Sequence, residues 1–320
     1  MQIDVFNGDA DGICALVQLR LAEPKISQLI SGVKRDICLL EKVGADSNDN
    51  VTVLDVSMKV NQAYLLPLLE KGTPIFYADH HQSGEIPTHP NLTALIDTDT
   101  DICTSLIINR YLKNRFAEWA IVGAFGDNLD ASAMALANQF HFSDMALQQL
   151  KMLGICLNYN GYGDNVDELH FNPCELYQKL VLYNSPIEFM TNNPAMNQQL
   201  ISGYQDDMEK AQQLVPEHES DKTLLYILPN ANWAKRVSGS FGNELAIKNP
   251  AKAHAILTEK ENGNYQVSVR SPLNTKTGAD ELCSQFPTGG GRKAAAGINE
   301  LDKESFDEFL RLYLKNYNSH

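Results

Sequence analysis

The sequence contains no run of eighteen or more apolar residues, which excludes a membrane-spanning helix of ordinary length. It also has no Cys-x-x-Cys pair. Cys14, Cys38, Cys103, Cys156, Cys174 and Cys283 stand apart, mostly among apolar neighbours, and read as reduced, buried thiols. The opening MQIDVFNGDADG runs straight into a strand-like segment and two acidic residues, without the basic and apolar regions of a secretory leader. These absences lead us to expect a cytoplasmic protein with no membrane role. Positive charge is scarce too: 26 Lys and Arg stand against 40 Asp and Glu, a net charge of −14. Proteins that wrap long DNA or RNA draw affinity from neutralised phosphates and are ordinarily basic. Long-DNA binding is therefore not expected, and any nucleic-acid substrate should be short and held in a local basic pocket. There is no internal repeat and no low-complexity tract.

What is present is a globular composition, 43% apolar over 320 residues, long enough for two domains with separate cores. The first half alternates strand-like and helix-like segments. Residues 3–6, 51–56, 75–78 and 92–96 read as short buried strands. Helices are expected over 12–22, stopping before Pro24, over 61–71, ended by Gly72, and over 102–112. Residues 115–160 read as mainly helical, and the polar stretch 196–213 as a connecting helix. A second strand-bearing unit begins near Leu224, with strands over 224–228, 253–257 and 265–269. It closes on an amphipathic helix over 303–317. The fold class is α/β: a mostly parallel sheet flanked by helices, followed by a smaller C-terminal α/β unit. The expected divisions are 1–186, a helical linker over 187–215, and 216–320.

In parallel sheets of this kind, ligands bind outside the carboxyl ends of the strands. Asp9, Asp11, Asp55 and the triplet Asp79-His80-His81 all fall at or just past such an end. Each has an ordinary structural reading alone. A D-x-D after a strand is often an Asx turn, a lone Asp is often a helix cap, and a His pair can decorate a surface. Their shared edge is better explained by a centre of two divalent ions, which needs a bridging carboxylate with oxygen and imidazole ligands around it. The candidates are Asp9, Asp11, Asp55, His80 and Asp127, with His81 beside them.

At the far end of the chain, Gly289-Gly290-Gly291 would let backbone N–H groups approach a phosphate, with Arg292 and Lys293 adding charge. A flexible loop is the simpler reading of the same residues. Arg270, at a strand end, is a second candidate for phosphate or base contact, or else a surface ion-pair partner. Trp233, next to Lys235 and Arg236, could stack a base, although domain packing explains it more simply. His89, His141, His170, His218 and His254 fall into no pattern.

Four segments carry a resemblance to a known family. Asn7-Gly8-Asp9-Ala10-Asp11-Gly12, Val53-Leu54-Asp55, Ala78-Asp79-His80-His81 and Gly123-Ala124-Phe125-Gly126-Asp127 resemble, in order and rough spacing, motifs I to IV of the DHH phosphoesterases. Gly289-Gly290-Gly291-Arg292-Lys293-Ala294-Ala295-Ala296-Gly297, with Ser268-Val269-Arg270-Ser271 upstream, is similar to the signature of the DHH-associated substrate-binding domain. The resemblance implies two divalent ions, usually Mn²⁺. Asp9 would bind the first ion and Asp11 the second, with Asp55 bridging, and His80 and Asp127 would complete the shell of the second ion. It further implies that His81 faces the scissile phosphate or leaving group, that Asp79 orients the histidines, and that Arg270, Ser271, Gly289, Gly290, Gly291, Arg292 and Lys293 bind substrate.

The chain departs from the family at one point. Many members carry a His four residues before the first Asp of motif I, or an Asp two before it; here these positions are Val5 and Asn7. Asn7 is expected to be a weak ligand through its carbonyl, and the first ion to bind loosely. The family includes single-strand exonucleases, nano-RNases, cyclic-dinucleotide phosphodiesterases and polyphosphate or pyrophosphate hydrolases. With an acidic surface, the expectation is a monomer or homodimer that cuts linear dinucleotides such as pGpG and pApA, and very short RNA, to mononucleotides. The alternatives are a cyclic-dinucleotide phosphodiesterase, a 3′-phosphoadenosine 5′-phosphate phosphatase, and a nucleotide-binding regulator with an inactive site.

Overall fold

In the computed structural model, which describes residues 1–318, the chain divides into two compact units, Met1–Gly203 and Tyr204–His320. The first is built on five parallel strands: β1 (Gln2–Phe6), β2 (Ser27–Ile30), β3 (Asn50–Leu54), β4 (Ile75–Asp79) and β5 (Leu92–Ile96). Their order is β2-β1-β3-β4-β5. The chain moves outward from β1 to β2 and then reverses to β3, which makes the gap beyond β1 and β3 the switch point of the sheet.

The strands form where apolar and β-branched residues alternate between two faces. Ile3, Val5, Val51, Val53, Ile75 and Tyr77 share one face and pack on Met58, Leu65, Leu68 and Leu69 of α2 (Met58–Glu70). The opposite face of β1 and β3 carries a buried polar knot beneath α1 (Ala10–Ala22). Arg20 of α1 donates to both Asp4 oxygens, at 2.8 and 2.5 Å, and to Thr52 Oγ1 at 3.0 Å. Gln2 Nε2 completes the network by donating to Asp4 and Thr52.

The remaining helices of this unit are α3 (Thr104–Tyr111), α4 (Ala117–Gly126), α5 (Asp130–Ala137), α6 (Asp144–Asn160), α7 (Pro173–Leu180) and α8 (Pro186–Asn192). The α4 segment is almost wholly apolar and almost wholly buried. It approaches α1 and α6 more closely than side chains allow: a Cβ on Gly126 would lie 2.3 Å from Ala10 Cβ and 2.8 Å from Gly154 O. Glycine at 126 thereby lets Asp127, the next residue, arrive beside the start of α1.

The division between units falls within α9 (Pro194–Gln212). The second unit contains β6 (His218–Glu219), β7 (Thr223–Leu228), α10 (Asn232–Lys248), β8 (Ala253–Glu259), β9 (Tyr265–Arg270), α11 (Ala279–Cys283), β10 (Gly289–Arg292), β11 (Ala295–Leu301) and α12 (Phe306–Asn318). Its sheet runs β10-β11-β9-β8-β7-β6, antiparallel except for the β7–β8 pair. Leu225, Ala255, Leu257, Val267, Val269 and Ile298 form an apolar face packed with Leu282 of α11 and with Phe309 and Tyr313 of α12. On the other face Gly242 of α10 lies next to Ile256 and Arg270. No described helix is long and apolar enough to cross a membrane. Among the described residues the six cysteines are free, four buried and two half-buried.

Most expected elements are present within a few residues of their predicted ends, and 92–96 is unchanged. Three segments read differently. β2 is a four-residue edge strand with no alternation to announce it. α10 carries Ser238, Gly239, Ser240 and Gly242 through its centre, residues that weaken a helical pattern but permit close packing. The glycine run, which reads locally as a flexible loop, is a strand held by pairing with β11.

Burial of polar groups in both units has measurable consequences for stability. Asp4→Ala would leave a buried guanidinium unpaired, which costs about 3–5 kcal/mol; urea denaturation measures it, and a loss below about 1 kcal/mol would contradict the role of the knot. His254 of β8 is fully buried, and neither ring nitrogen has a hydrogen-bond partner. Burial first, then the charges of Lys252 and Arg270, push its pKa down to about 4 from the ordinary 6.5. Between those values the unfolded chain takes up a proton that the folded chain does not, so His254 removes stability as pH falls from 6.5 towards 4. His254→Leu should flatten that part of the stability–pH curve, as read by chemical denaturation at a series of pH values.

Candidate metal centre

The loop after β1 turns the chain from strand to helix around Asp9. Its carboxylate caps α1, accepting from the backbone N–H of Asp11 at 3.0 Å and of Gly12 at 3.1 Å. The flanking glycines have steric causes: a Cβ on Gly8 would lie 1.9 Å from Gly32 O, and one on Gly12 would lie 2.3 Å from Asn7 O. Asp11, in the first turn of the same helix, accepts at 2.7 Å from each of the first two N–H groups of α3, Thr104 and Ser105. Asp55 follows β3 with φ of +59°, a left-handed conformation that Asp tolerates better than most residues. Thr104 Oγ1 donates to it at 3.2 Å. Asp127 ends α4, its backbone N–H bonded to Gly123 O.

The two histidines are held in different ways. His80 is buried, and its Nδ1 donates to Ile102 O at 2.9 Å, which in the neutral ring leaves the lone pair on Nε2. That Nε2 lies 3.5 Å from Asp55 Oδ1, 3.9 Å from Asp127 Oδ2 and 4.0 Å from Asp11 Oδ2. These separations are too long for hydrogen bonds, and the gathered atoms are all acceptors. A cation among them satisfies the set; an apolar or anionic group does not. His81 Nδ1 instead meets Asp79 Oδ1 at 2.8 Å, and 40% of its side chain is exposed. Asp79 thus sets the orientation of the His81 ring. Asp55, His80 and His81 present ligand atoms within 4.8 Å of one another.

Electrostatics mark the same place. Burial, and then repulsion from Asp11, Asp9, Asp79 and Asp127, push the Asp55 carboxyl well above the usual carboxylate range. Asp127 is raised by burial, an effect that Lys34 partly offsets. Asp9 goes the other way. Burial alone would raise it, but the Lys34 ammonium, the Gly12 N–H and the nearby Asp55 carboxyl hold it below the usual range.

Lys34 is the residue that sequence reading missed. It follows β2, which had no pattern of its own, and only the β2-β1-β3 order brings it beside Asp9. Its Nζ lies 2.5 Å from Asp9 Oδ2, 2.8 Å from Asn158 Oδ1 and 3.7 Å from Asp127 Oδ1. Burial alone would depress the Lys34 amine, but Asp9, Tyr162 and Asp127 hold it well above the ordinary lysine range. Val5 is in the apolar core, and Asn7 donates from Nδ2 to Lys34 O at 3.2 Å. Asn7 Oδ1 is buried without a partner. Asp11, Asp55, His80 and Asp127 are the donors that would suit a divalent ion here, with the Asn7 oxygen buried on the Asp9 side. On the Asp9 side a lysine faces the carboxylate.

The residues singled out in the second unit are spread along β9, β10 and the turn between β10 and β11. Arg270 ends β9, half-buried, with Nε donating to Asn243 Oδ1 at 2.8 Å and Nη1 to Ser268 Oγ at 2.9 Å. Ser271 is buried and its hydroxyl donates to Lys293 O at 2.8 Å. Gly289 and Gly291 are demanded by packing: a Cβ would lie 1.8 Å from Cys283 O or 2.5 Å from Ala296 Cα, and Gly291 has φ of +147°. Gly290 faces open space, and Arg292 and Lys293 are exposed.

The repulsion on Asp55 can be measured directly. Asp55→Asn keeps the left-handed turn and the bond from Thr104 but removes a buried charge. Without metal this variant should unfold at higher temperature than the native chain. Mn²⁺ at roughly a hundredfold over its dissociation constant should add about 2.7 kcal/mol to the native chain and little to Asp55→Asn. Calorimetry with and without the ion distinguishes the two; an equal gain in both would remove Asp55 from the ligands.

No curated protein matches the sequence. The DHHA1 domain matches residues 221–318. Among solved structures, RecJ from Thermus thermophilus, in complex with Mn²⁺, is similar at a TM-score of 0.61 and 18% identity, covering 98% of this chain and 51% of that one. The chain thus spans about half the length of that RecJ. A manganese-bound exonuclease RecJ is similar at 0.57 and 17%, covering 98% of this chain and 89% of its own. The pGpG-specific phosphodiesterase PggH from Vibrio cholerae is similar at 0.56 and 15%, covering 98% of this chain and 97% of its own. The DHHA1 domain thus covers the C-terminal end of the chain, and the fold shared with these proteins extends over nearly all of it.

Proposed function

We propose that this chain is a metal-dependent phosphodiesterase that hydrolyses linear dinucleotides of the pGpG and pApA type, and very short oligoribonucleotides, to mononucleotides. One observation carries the reading. His80 Nε2 and oxygens of Asp11, Asp55 and Asp127 converge without touching, beside a His81 aimed by Asp79. Manganese suits such an oxygen-rich set with one imidazole, and two of the similar structures are manganese-bound. The bound ion supplies Lewis acidity for the phosphoryl oxygen and a lowered pKa for the attacking water.

The chain's own groups do the rest. Asp11, Asp55, His80 and Asp127 hold the ion. Asp79 accepts from His81 Nδ1 and so orients the ring that exchanges a proton with the substrate. Water adds to phosphorus, the P–O bond to the leaving ribose oxygen breaks, and that oxygen takes a proton. Arg270, Arg292 and Lys293 are the positive groups we assign to remote phosphates or bases, with Gly290 as the open backbone position. The net charge of −14 argues for short substrates over long ones. So does the near-complete coverage of the pGpG-specific PggH fold.

A product time course tests the proposal. Purified chain with Mn²⁺ is incubated with 5′-labelled linear dinucleotides, longer RNAs and cyclic dinucleotides, with Asp55→Asn as control. Linear dinucleotides should disappear fastest, leaving mononucleotides, and the control should lose at least about a hundredfold in rate. A cyclic substrate accumulating as linear dinucleotide would favour the cyclic-dinucleotide reading. Equal cutting of long single-stranded DNA would overturn the size preference, and no turnover of any substrate would favour a binding regulator.

A further inference from the structure

The resemblance calls for two ions, but the pocket already holds a cation of the chain's own on the side where the first would sit. Lys34 Nζ lies 2.5 Å from Asp9 Oδ2, the carboxylate assigned to that ion, 2.8 Å from Asn158 Oδ1, and 3.7 Å from Asp127 Oδ1. The Lys34 backbone is pinned on both sides: its N–H donates to Gly161 O at 2.7 Å, and its carbonyl accepts from Asn7 Nδ2 at 3.2 Å. The loop at Gly161 in turn presses on the Asp9 turn, since a Cβ there would lie 3.1 Å from Gly8 O and 3.2 Å from Asp9 Cα.

The two substituted positions of motif I fit the same account. Val5 has gone into the apolar core, and Asn7 uses its amide to hold Lys34 in place. The same loop that lacks the usual ligands thus anchors the backbone of the lysine whose ammonium meets Asp9. A divalent ion at Asp9 would have to enter beside a fixed positive charge, with fewer anionic donors than the family usually provides.

Resting on the metal-dependent reading above, we propose that Lys34 takes the electrostatic place of the first ion, so that the chain works as a single-ion enzyme with one divalent ion on Asp11, Asp55, His80 and Asp127. The ammonium neutralises Asp9 and faces Asp127, which bounds the ion site on its other side. Being covalently part of the chain, it neither exchanges nor dissociates on dilution. Metal binding should then follow a single-site isotherm.

The test counts ions and does not depend on turnover. The chain of residues 1–320 is dialysed against Mn²⁺, bound manganese is measured by mass spectrometry, and its magnetic coupling is read by electron paramagnetic resonance. The native chain should bind one ion per chain with the resolved hyperfine pattern of an isolated centre. Asp9→Asn, which keeps the cap on α1, should still bind one, and His80→Gln should bind none. Lys34→Asp removes the cation and supplies a ligand, so it should bind two, with an exchange-broadened signal. Two coupled ions in the native chain, falling to one in Asp9→Asn, would overturn the inference while leaving a metal-dependent enzyme. A folded Lys34→Asp chain that still holds one ion would also overturn it. No manganese on the native chain would overturn both this inference and the metal-dependent reading. If Lys34→Asp fails to fold, the native and Asp9→Asn counts decide alone.

Discussion

Five carboxylates, Asp9, Asp11, Asp55, Asp79 and Asp127, are gathered beyond the ends of β1, β3 and β4, and four of them are almost completely buried. Their mutual repulsion in a poorly solvated pocket is the constraint around which the first unit is organised. These charges are met in several ways, Asp127 by Lys34 at 3.7 Å. Asp9 is bonded to the α1 N-terminus and to Lys34, and Asp11 to the α3 N-terminus, where helix dipoles favour an anion. Asp79 accepts a hydrogen bond from the His81 ring. Asp55, met by the Thr104 hydroxyl, is left most exposed to its neighbours' charge, and Nε2 of His80 points at the same space. A divalent ion would remedy the shortage of positive charge at that point.

The surrounding packing is shaped to make this gathering possible. Motif IV ends a helix that reaches α1 only because Gly126 and Gly154 present no side chains at the crossing. Motif II ends in a left-handed residue that turns the Asp55 carboxylate back over the sheet edge. Below the site, the Arg20–Asp4–Thr52 knot ties α1 to β1 and β3. The start of α1, which carries Asp9 and Asp11, is thereby set against the strand that delivers Asp55.

The glycine-rich segment of the second unit has a mixed origin. Gly289 and Gly291 answer to Cys283 and Ala296, so packing alone would preserve them. A Cβ on Gly290 would meet nothing within 4 Å, and Arg292 and Lys293 are exposed, so packing of this kind does not account for them. Arg270 stands at the end of a neighbouring strand with its guanidinium oriented by Asn243 and Ser268.

The sequence by itself determined the parallel α/β architecture, the edge of the sheet that carries the chemistry, and the candidate donors gathered there. These are local properties: short apolar strands, helical spacing, and acidic or histidine residues directly after a strand. It could not determine which side chains meet across the switch point. The Thr104 and Ser105 N–H groups reach Asp11 from 93 and 94 residues away, and Lys34 reaches Asp9 from 25 and Asp127 from the far side of the pocket. Nothing in the pattern around Lys34 distinguishes it from a surface lysine, because its role is set by the lateral order of strands. Likewise Gly289-Gly290-Gly291-Arg292 becomes a strand only through its partner β11. The donors were legible one by one; the charge that balances them was decided by the tertiary fold, since Coulombic partnership depends on distance in space and not along the chain.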